Sequence, residues 1–447
     1  MILLLALGSS PLEVFALPNN SFDEWPTGGN NDVTSTLPEP PAVKHIVDLK
    51  EMFKYPTLNY SRIPRDPVNE QILDFSSNKS YVTKIDSSVA VLTRDSKWQS
   101  GVMWSLDKYK VKLNEPFHMV SYIYLGNKGQ TKGGADGITF TMHNDKKDAI
   151  EKESGSTSNT RDGAYGAIGN GLGVYGNYFS GADNSNVYVQ MKEGVTNGIA
   201  LEFDTFYNDE KELGGKQFTD TDLWQYIESG IPGGANLNSK RQGTPNTEYG
   251  HIAINYLNDM QDNRANGTGK TFDEVPKHAK MLSVGWDGVI SHLDYQKGWQ
   301  VSSKPEKKLA DDMWHRLEVK WTPTPNSSTT GNLTYLIYRD GHIGKRNVKS
   351  IDDTSNDGSN VLTYTIENLD VVDVFKVNST ADSVYWGFSG STGGFQNNQA
   401  VQMLELPVNY YTAELSKVDQ DENLVSGARF QIEKKNETTG DWEVQKF

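Results

Sequence analysis

The sequence predicts an all-β protein built as a sandwich or barrel. Three observations carry that prediction. Short runs alternate apolar and polar residues at a period of two, as in "GITFTMH" (137–143) and "HRLEVKW" (315–321). Clusters of Gly, Asn and Asp separate these runs and supply the turns. Long helical periodicity is scarce, and more than 300 residues of strand-and-turn pattern call for large sheets with long loops.

From the N-terminus, "MILLLALGSSPLEVFALPNN" places a short apolar run at residues 2–7 and a small-residue position at Phe15-Ala16. This reads as a signal peptide over 1–16, with its basic start missing. The run is too short to span a bilayer, which needs about 20 apolar residues, and no other stretch is long or apolar enough. Residues 17–45 are rich in Pro, Gly, Asn and Asp and read as a linker or leader. Residues 46–408 form the main domain. Within it, Asp340-Gly341 is a hairpin-turn signal after "GNLTYLIYR". Two Gly-rich stretches, 157–181 and 208–250, interrupt the strand rhythm and are long enough to be functional loops. Neither contains a phosphate-cradling GxxxxGK[ST] pattern. After 408 the pattern changes to two strands and a turn, and the 39 residues left are too few for an ordinary domain. They read as the beginning of a truncated β-sandwich module, 409–447.

Composition bounds the function. The net charge of −15 is the reverse of the basic footprint that nucleic acid requires. The absence of cysteine excludes a disulfide framework, thiol chemistry and thiolate metal sites, while leaving export open.

One strand concentrates the chemistry. In "GIALEFDTFYNDE" (198–210), Ile199, Leu201 and Phe203 alternate with Ala200, Glu202 and Asp204, and Phe206 and Asn208 continue the polar row. A glycosidase reading needs a third carboxylate beyond Glu202 and Asp204, and where the Glu-x-Asp-x-x-Glu pattern of concanavalin-like glycosidases has its last Glu this sequence has Tyr207. No nucleophile-elbow pentapeptide appears. A metal reading fits better. Ca²⁺ takes about six to eight oxygens, and Asp204, the Phe206 carbonyl and Asn208 lie at two-residue spacing. A hairpin with "HIAINY" would bring His251 beside Glu202. A purely solvated face remains the structural alternative.

Six stretches in order, "GGADGITFTM" (133–142), "LGVYGN" (172–177), "ALEFDTFYN" (200–208), "HIAIN" (251–255), "WHRLEVKW" (314–321) and "WGFSGSTGG" (386–394), resemble the legume-type (L-type) lectins, in particular their bacterial branch in cell-wall adhesins. The resemblance implies a concanavalin-like jelly-roll β-sandwich of two large antiparallel sheets, binding carbohydrate without catalysis. It implies a cis peptide between Ala135 and Asp136, with Asp136 accepting hydrogen bonds from sugar hydroxyls. The Gly169-Asn170-Gly171 turn would give a backbone N–H. Phe206 would pack its ring against a pyranose, and the 389–399 loop, with Gly393 and Gly394, would set specificity. Asn208 would offer its side-chain NH₂ to the sugar, and Asp204, Phe206 and Asn208 would hold Ca²⁺. Glu202, Asp204 and His251 match ligands of a second, transition-metal site for Mn²⁺; near the place of the Asp that both metals share in the family stands Asn246, with Glu248, Asp220 and Asp222 as further candidates, and a shared Asn would weaken that site. Such a shallow site implies millimolar affinity for a monosaccharide, roughly −4 kcal/mol, strengthened by multivalent display.

The tail "LSKVDQDENLVSGARFQIEKK" resembles the opening of a Cna B-type (SpaA-like) stalk module, whose Lys417 would join an Asn beyond Phe447. Together these resemblances imply a secreted, cell-wall-displayed adhesin of Gram-positive type. Its partners would be glycans or glycoproteins on a host or neighbouring cell. A glycoside hydrolase on the same sandwich and a calcium-braced, protein-binding surface module are the alternatives.

Overall fold

The computed structural model describes residues 3–5, 25–26, 35–41, 47–59, 78–145, 160–161, 163–166, 168–175, 194–206, 249–257, 280–292, 299–301, 306–341, 360–407, 415–417, 433–435 and 442–444. Two compact units divide the chain, residues 20–408 and a second unit made of residues 1–19 with 409–447.

The larger unit holds two antiparallel sheets. One has ten strands. Its order is Trp299–Val301, Gly288–His292, Lys280–Val284, His251–Tyr256, Gly198–Asp204, Gly137–His143, Ser383–Ser391, Ser100–Ser105 and Phe53–Lys54, with Val111–Lys112 pairing the start of Ser383–Ser391. The other has seven, ordered Val361–Asp370, Thr330–Tyr338, Trp314–Pro323, Phe117–Tyr124, Gln399–Glu405, Val89–Thr93 and Tyr81–Val82. This is the all-β architecture that the residue pattern predicts, with the two large antiparallel sheets that the resemblance implies.

The period of two explains how the sheets meet. Ile138, Phe140, Met142, Ile199, Leu201, Phe203, Ile252 and Ile254 leave the large sheet on one face. They pack into one core with Met119, Ile123, Leu317, Val319, Trp321, Leu333, Tyr335, Ile337, Val401 and Met403 of the smaller sheet. Burial of this apolar area drives the association, at about 25 cal/mol per Å². The outward face of the large sheet is not left to water. Ala164, Tyr165, Leu172, Val174 and Tyr175 of the Gly-rich stretch cover Val102, Trp104 and Ala200. All seven residues of Gly198–Asp204 are therefore buried, Glu202 and Asp204 included, where alternation alone allowed a solvated face.

Buried tryptophans fasten loops to the sheets. Each indole N–H must find an acceptor when desolvated. Trp104 donates to the Ala164 carbonyl (2.7 Å), Trp286 to Leu309 (3.1 Å), Trp314 to Pro38 (3.1 Å), Trp321 to Leu113 (2.9 Å) and Trp386 to Tyr109 (2.9 Å).

The Trp314 bond reports on the leader. Its composition reads as linker, yet residues 35–41 lie against the outer face of the seven-stranded sheet. Leu37 is buried with Val91, Tyr124, Trp314 and Ala400, and Trp25 packs beside it. Trp25 Nε1 donates to the Leu37 carbonyl at 2.7 Å, and Asn398 Nδ2 to that of Ser35 at 2.9 Å. A stretch without strand periodicity can still dock when its few apolar side chains meet an apolar sheet face. The Asp340-Gly341 signal also resolves differently. Tyr338 pairs with Val361, so the two strands are antiparallel neighbours but are joined by a long connection instead of a two-residue turn.

In the second unit, Leu3–Leu5 runs antiparallel to Leu415–Lys417, and Glu433–Lys435 to Trp442–Val444. Leu3–Leu5 belongs to the stretch that composition reads as a signal peptide.

Two stability predictions follow from this packing. Leu37→Ala is expected to lower the unfolding free energy by about 2–5 kcal/mol, measured by denaturant unfolding. A change below about 0.5 kcal/mol would place the segment outside the cooperative unit. The second concerns Glu318 on the seven-stranded sheet. Burial pushes its carboxyl up, but hydrogen bonds with His118 and Tyr338 and the charges of Arg316 and Lys320 outweigh this and hold it down to about 2. A depressed carboxyl stabilises the fold above its unfolded value of 4.5, and that contribution is lost as pH falls from there towards 2. Melting temperature measured against pH should show this acid limb flattened in Glu318→Gln.

Candidate functional site

Asp136 lies at the end of the ten-stranded sheet where three loops converge. It directly precedes the Gly137–His143 strand, and the Ala135–Asp136 peptide is cis, as the resemblance implies. Its side chain is almost fully buried. The main chain around it is tied from several directions. The Asp136 N–H donates to the Ser391 carbonyl at 3.0 Å. The Asp136 carbonyl accepts from Thr205 twice, from the backbone N–H at 2.7 Å and from Oγ1 at 2.9 Å. Gln399 Nε2 donates to the carbonyls of Ala135 (3.2 Å) and Ser391 (3.1 Å).

Two glycines border the carboxylate. A Cβ built on Gly393 would stand 3.2 Å from Asp136 Oδ2, and one on Gly169 would stand 3.9 Å from it. A side chain at Gly393 would crowd the carboxylate, and Gly169 has φ +63°, which glycine adopts at little cost. Gly169–Gly171 forms a 3₁₀ turn. Two serines of Ser383–Ser391 hold that turn: Ser391 Oγ donates to the Gly169 carbonyl and Ser389 Oγ to that of Leu172, both at 2.6 Å. The Gly171 N–H is engaged with Ile168 O at 3.3 Å. Asn170 belongs to the turn by its backbone. Gly394 is exposed, with open space where a Cβ would project.

The loop carrying Gly393 and Gly394 is the crossing between the centres of the two sheets, and its polar side chains replace missing ladder bonds. Asn397 donates from Nδ2 to the Lys128 carbonyl (2.9 Å) and accepts the Lys128 N–H (3.2 Å). Asn398 accepts the Asp95 N–H (2.8 Å), and Gln396 Nε2 donates to the Asp95 carbonyl (3.1 Å). A loop so anchored presents a fixed surface.

The acidic row lies one strand further along. The hairpin expected between Gly198–Asp204 and His251–Tyr256 is present, with Asp204 opposite His251 and Glu202 opposite Ala253. His251 Nε2 is 3.1 Å from Glu202 Oε1. Asn255 Nδ2 donates to Glu202 Oε2 (2.8 Å) and lies 2.9 Å from the Tyr175 hydroxyl. Both Glu202 oxygens are engaged in a fully buried place, so Glu202 is not positioned to protonate a glycosidic oxygen. Asp204 Oδ1 accepts the Phe206 N–H at 2.6 Å. Phe206 is nearly buried, its ring 5.3 Å from that of Phe395 at a tilt of 32°.

Of the residues expected at the sugar site, Gly169 and Gly393 border the Asp136 carboxylate, and Phe206 follows Thr205, which donates to the Asp136 carbonyl. Tyr207, Asn208, Asp220, Asp222, Asn246 and Glu248 lie outside the described residues. Among the described residues, no three acidic or histidine side chains are placed to hold a metal. The chemistry of Glu202 and Asp204 nevertheless fits a cation: two carboxylates buried two positions apart are costly without nearby positive charge. Sequence reasoning missed Gln399, Thr205, Ser389 and Ser391 as holders of the site, and Asn255 and Tyr175 as partners of the acidic row. Only Asn255 carried a signal, as a polar residue alternating with Ile252 and Ile254.

A family model described as the legume lectin beta-barrel domain, or L-type lectin domain, matches residues 69–405. The chain belongs to the L-type lectin family. A sequence search among curated proteins finds no match. Among solved structures, the lectin domain is similar to the lectin from Bauhinia forficata in complex with GalNAc (13% identity, 80% of this chain and 91% of that one, TM-score 0.32). It is similar to lectin I from Ulex europaeus with the methyl glycoside of α-L-fucose (11%, 81% and 93%, 0.35). It is also similar to the Ca²⁺-bound form of the exoplasmic/lumenal domain of VIP36 (11%, 84% and 91%, 0.31). Membership of the L-type lectin family rests on the family match alone.

Gln399→Leu keeps side-chain volume but leaves the Ala135 and Ser391 carbonyls without this donor. It is expected to cost about 1–3 kcal/mol of stability in denaturant unfolding, while a Ser391→Ala change loosens the Gly169 turn without disturbing Gln399.

Proposed function

We propose that this lectin domain binds carbohydrate in the cleft around Asp136, without turnover, and that calcium supports the site. The observation that carries this reading is the buried Asp136 carboxylate bordered by two side-chain-free positions, Gly169 and Gly393, with Phe206 tied to the same main chain through Thr205. A sugar offers a ring of hydroxyls and an apolar C–H face. A fixed carboxylate accepts from two hydroxyls, and an aromatic ring covers the apolar face, with little reorganisation on binding.

Asp204, the Phe206 carbonyl and Asn208 would hold the calcium, with Asn246 contributing in place of a shared carboxylate. Bound there, the ion supplies positive charge that offsets the buried carboxylates and fixes the loop beyond Asp204. Glu202 and His251 would complete a second site for Mn²⁺ or a similar metal. The chain's own residues do the rest. Thr205 and Gln399 hold the backbone on either side of the Ala135–Asp136 peptide, and Ser391 and Ser389 hold the glycine turn against the carboxylate.

The wider reading is a secreted bacterial adhesin displayed on a Gram-positive cell wall. The tail after residue 408 would be the opening of a Cna B-type stalk, and the partners would be glycans or glycoproteins of a host or neighbouring cell. What supports it is the order of motifs in the sequence and the cysteine-free, acidic composition.

A glycan array probed with the full chain tests the binding function. Binding is expected in calcium and is expected to fall at least tenfold, about 1.4 kcal/mol, both in Asp136→Ala and after chelation. Signal that survives both treatments would refute the site. A rise in melting temperature with calcium but no glycan bound would favour the braced surface module instead.

A further inference from the structure

We propose that Phe395 is a specificity-determining residue of this cleft, and that it selects saccharides bearing a methyl group, on an acetamido or a 6-deoxy carbon, beside the hydroxyls that Asp136 accepts. The inference rests on the carbohydrate reading and deepens it.

Phe395 is one of two large apolar side chains strongly exposed among the described residues, at 44%. The other is Ile85. The position of Phe395 is not loose. Its carbonyl accepts the Gly393 N–H at 3.1 Å, and the next residue, Gln396, donates its N–H to the Gly133 carbonyl at 2.9 Å. The ring is seated over Gly133, where a Cβ would come within 3.2 Å of Cδ1, and its inner side meets Phe206. An exposed aromatic ring is thus held in place two residues from Gly393, where a Cβ would stand 3.2 Å from Asp136 Oδ2.

The two rings divide the apolar work. Phe206 is nearly buried, and its small exposed part is what it offers a pyranose. Phe395 packs against it and extends the same apolar surface outward into solvent. Its free face has no polar atom to offer a hydroxyl, so a hydroxyl placed there would lose water without gaining a hydrogen bond. A methyl group there removes apolar surface of both partners from water. Because the loop is already ordered, little of that gain is lost to immobilisation.

Matched sugar pairs test this by titration calorimetry on the full chain in calcium. N-acetylgalactosamine against galactose and N-acetylglucosamine against glucose probe the acetamido source. L-Fucose against L-galactose and L-rhamnose against L-mannose probe the 6-deoxy source. The methyl-bearing member of at least one pair should bind about fourfold tighter, the worth of one buried methyl at about 0.8 kcal/mol. Phe395→Ala should erase that preference while the hydroxyl-only partner keeps its affinity, and Phe395→Trp should preserve it. Asp136→Ala should abolish binding of both members. Equal affinities in every pair, or a preference that survives Phe395→Ala, would overturn the role of Phe395 and leave the carbohydrate site standing. Failure of every sugar to bind the wild-type chain would overturn both.

Discussion

Both sheets of the lectin domain are closed through their middles by one stretch near its end. Ser383–Ser391 pairs on one side with Gly137–His143 and on the other with Ser100–Ser105. Gln399–Glu405 does the same between Phe117–Tyr124 and Val89–Thr93. Without these strands each sheet would be two fragments with open edges, a poor state for a backbone whose every N–H and C=O requires a partner. The pairings join residues some 250–300 positions apart, so the fold is completed only by distant contacts of this kind.

The same constraint builds the site. The seven residues between these strands must cross from one sheet to the other, and they leave the ladder as they do so. Their backbone and that of the neighbouring loops then depends on side chains, which Gln396, Asn397, Asn398 and Gln399 supply. The crossing is therefore rigid where a loop of its length would otherwise be adaptable. Asp136, Gly169 and Gly393 come together because Ser391 and Gln399 bind the three loops at once. The glycines leave the positions beside the carboxylate free of side chains, and Phe206 and Phe395 pack ring against ring nearby.

The acidic row shows how burial changes the meaning of a motif. Glu-x-Asp on a strand suits an acid and base when water and substrate can reach it. Here the Gly-rich stretch roofs the outer face with Tyr165, Leu172 and Tyr175, and Glu202 is enclosed with His251 and Asn255. Burial also pushes the Tyr165 hydroxyl up, so it stays protonated and donates to the Ser100 carbonyl at 3.2 Å. An enclosed carboxylate is suited to a static role, as a ligand or a support.

Local sequence was enough for the features whose cause is local. Alternation at a period of two marked the Gly137–His143, Gly198–Asp204 and Trp314–Pro323 strands, because a pleated chain separates its two faces whatever it pairs with. The ordered motifs carried the family, and with it Asp136 and its glycines. Other features depend on which distant segments meet. That includes the docking of Leu37, the long connection after Tyr338, the clamp of Gln399 on Ala135, the enclosure of Glu202 and the seating of Phe395 on Phe206. A polar residue in a loop looks the same in sequence whether it faces water or completes another loop's hydrogen bonds. Only the tertiary structure decides between them, because the partner that gives each residue its role lies elsewhere in the chain.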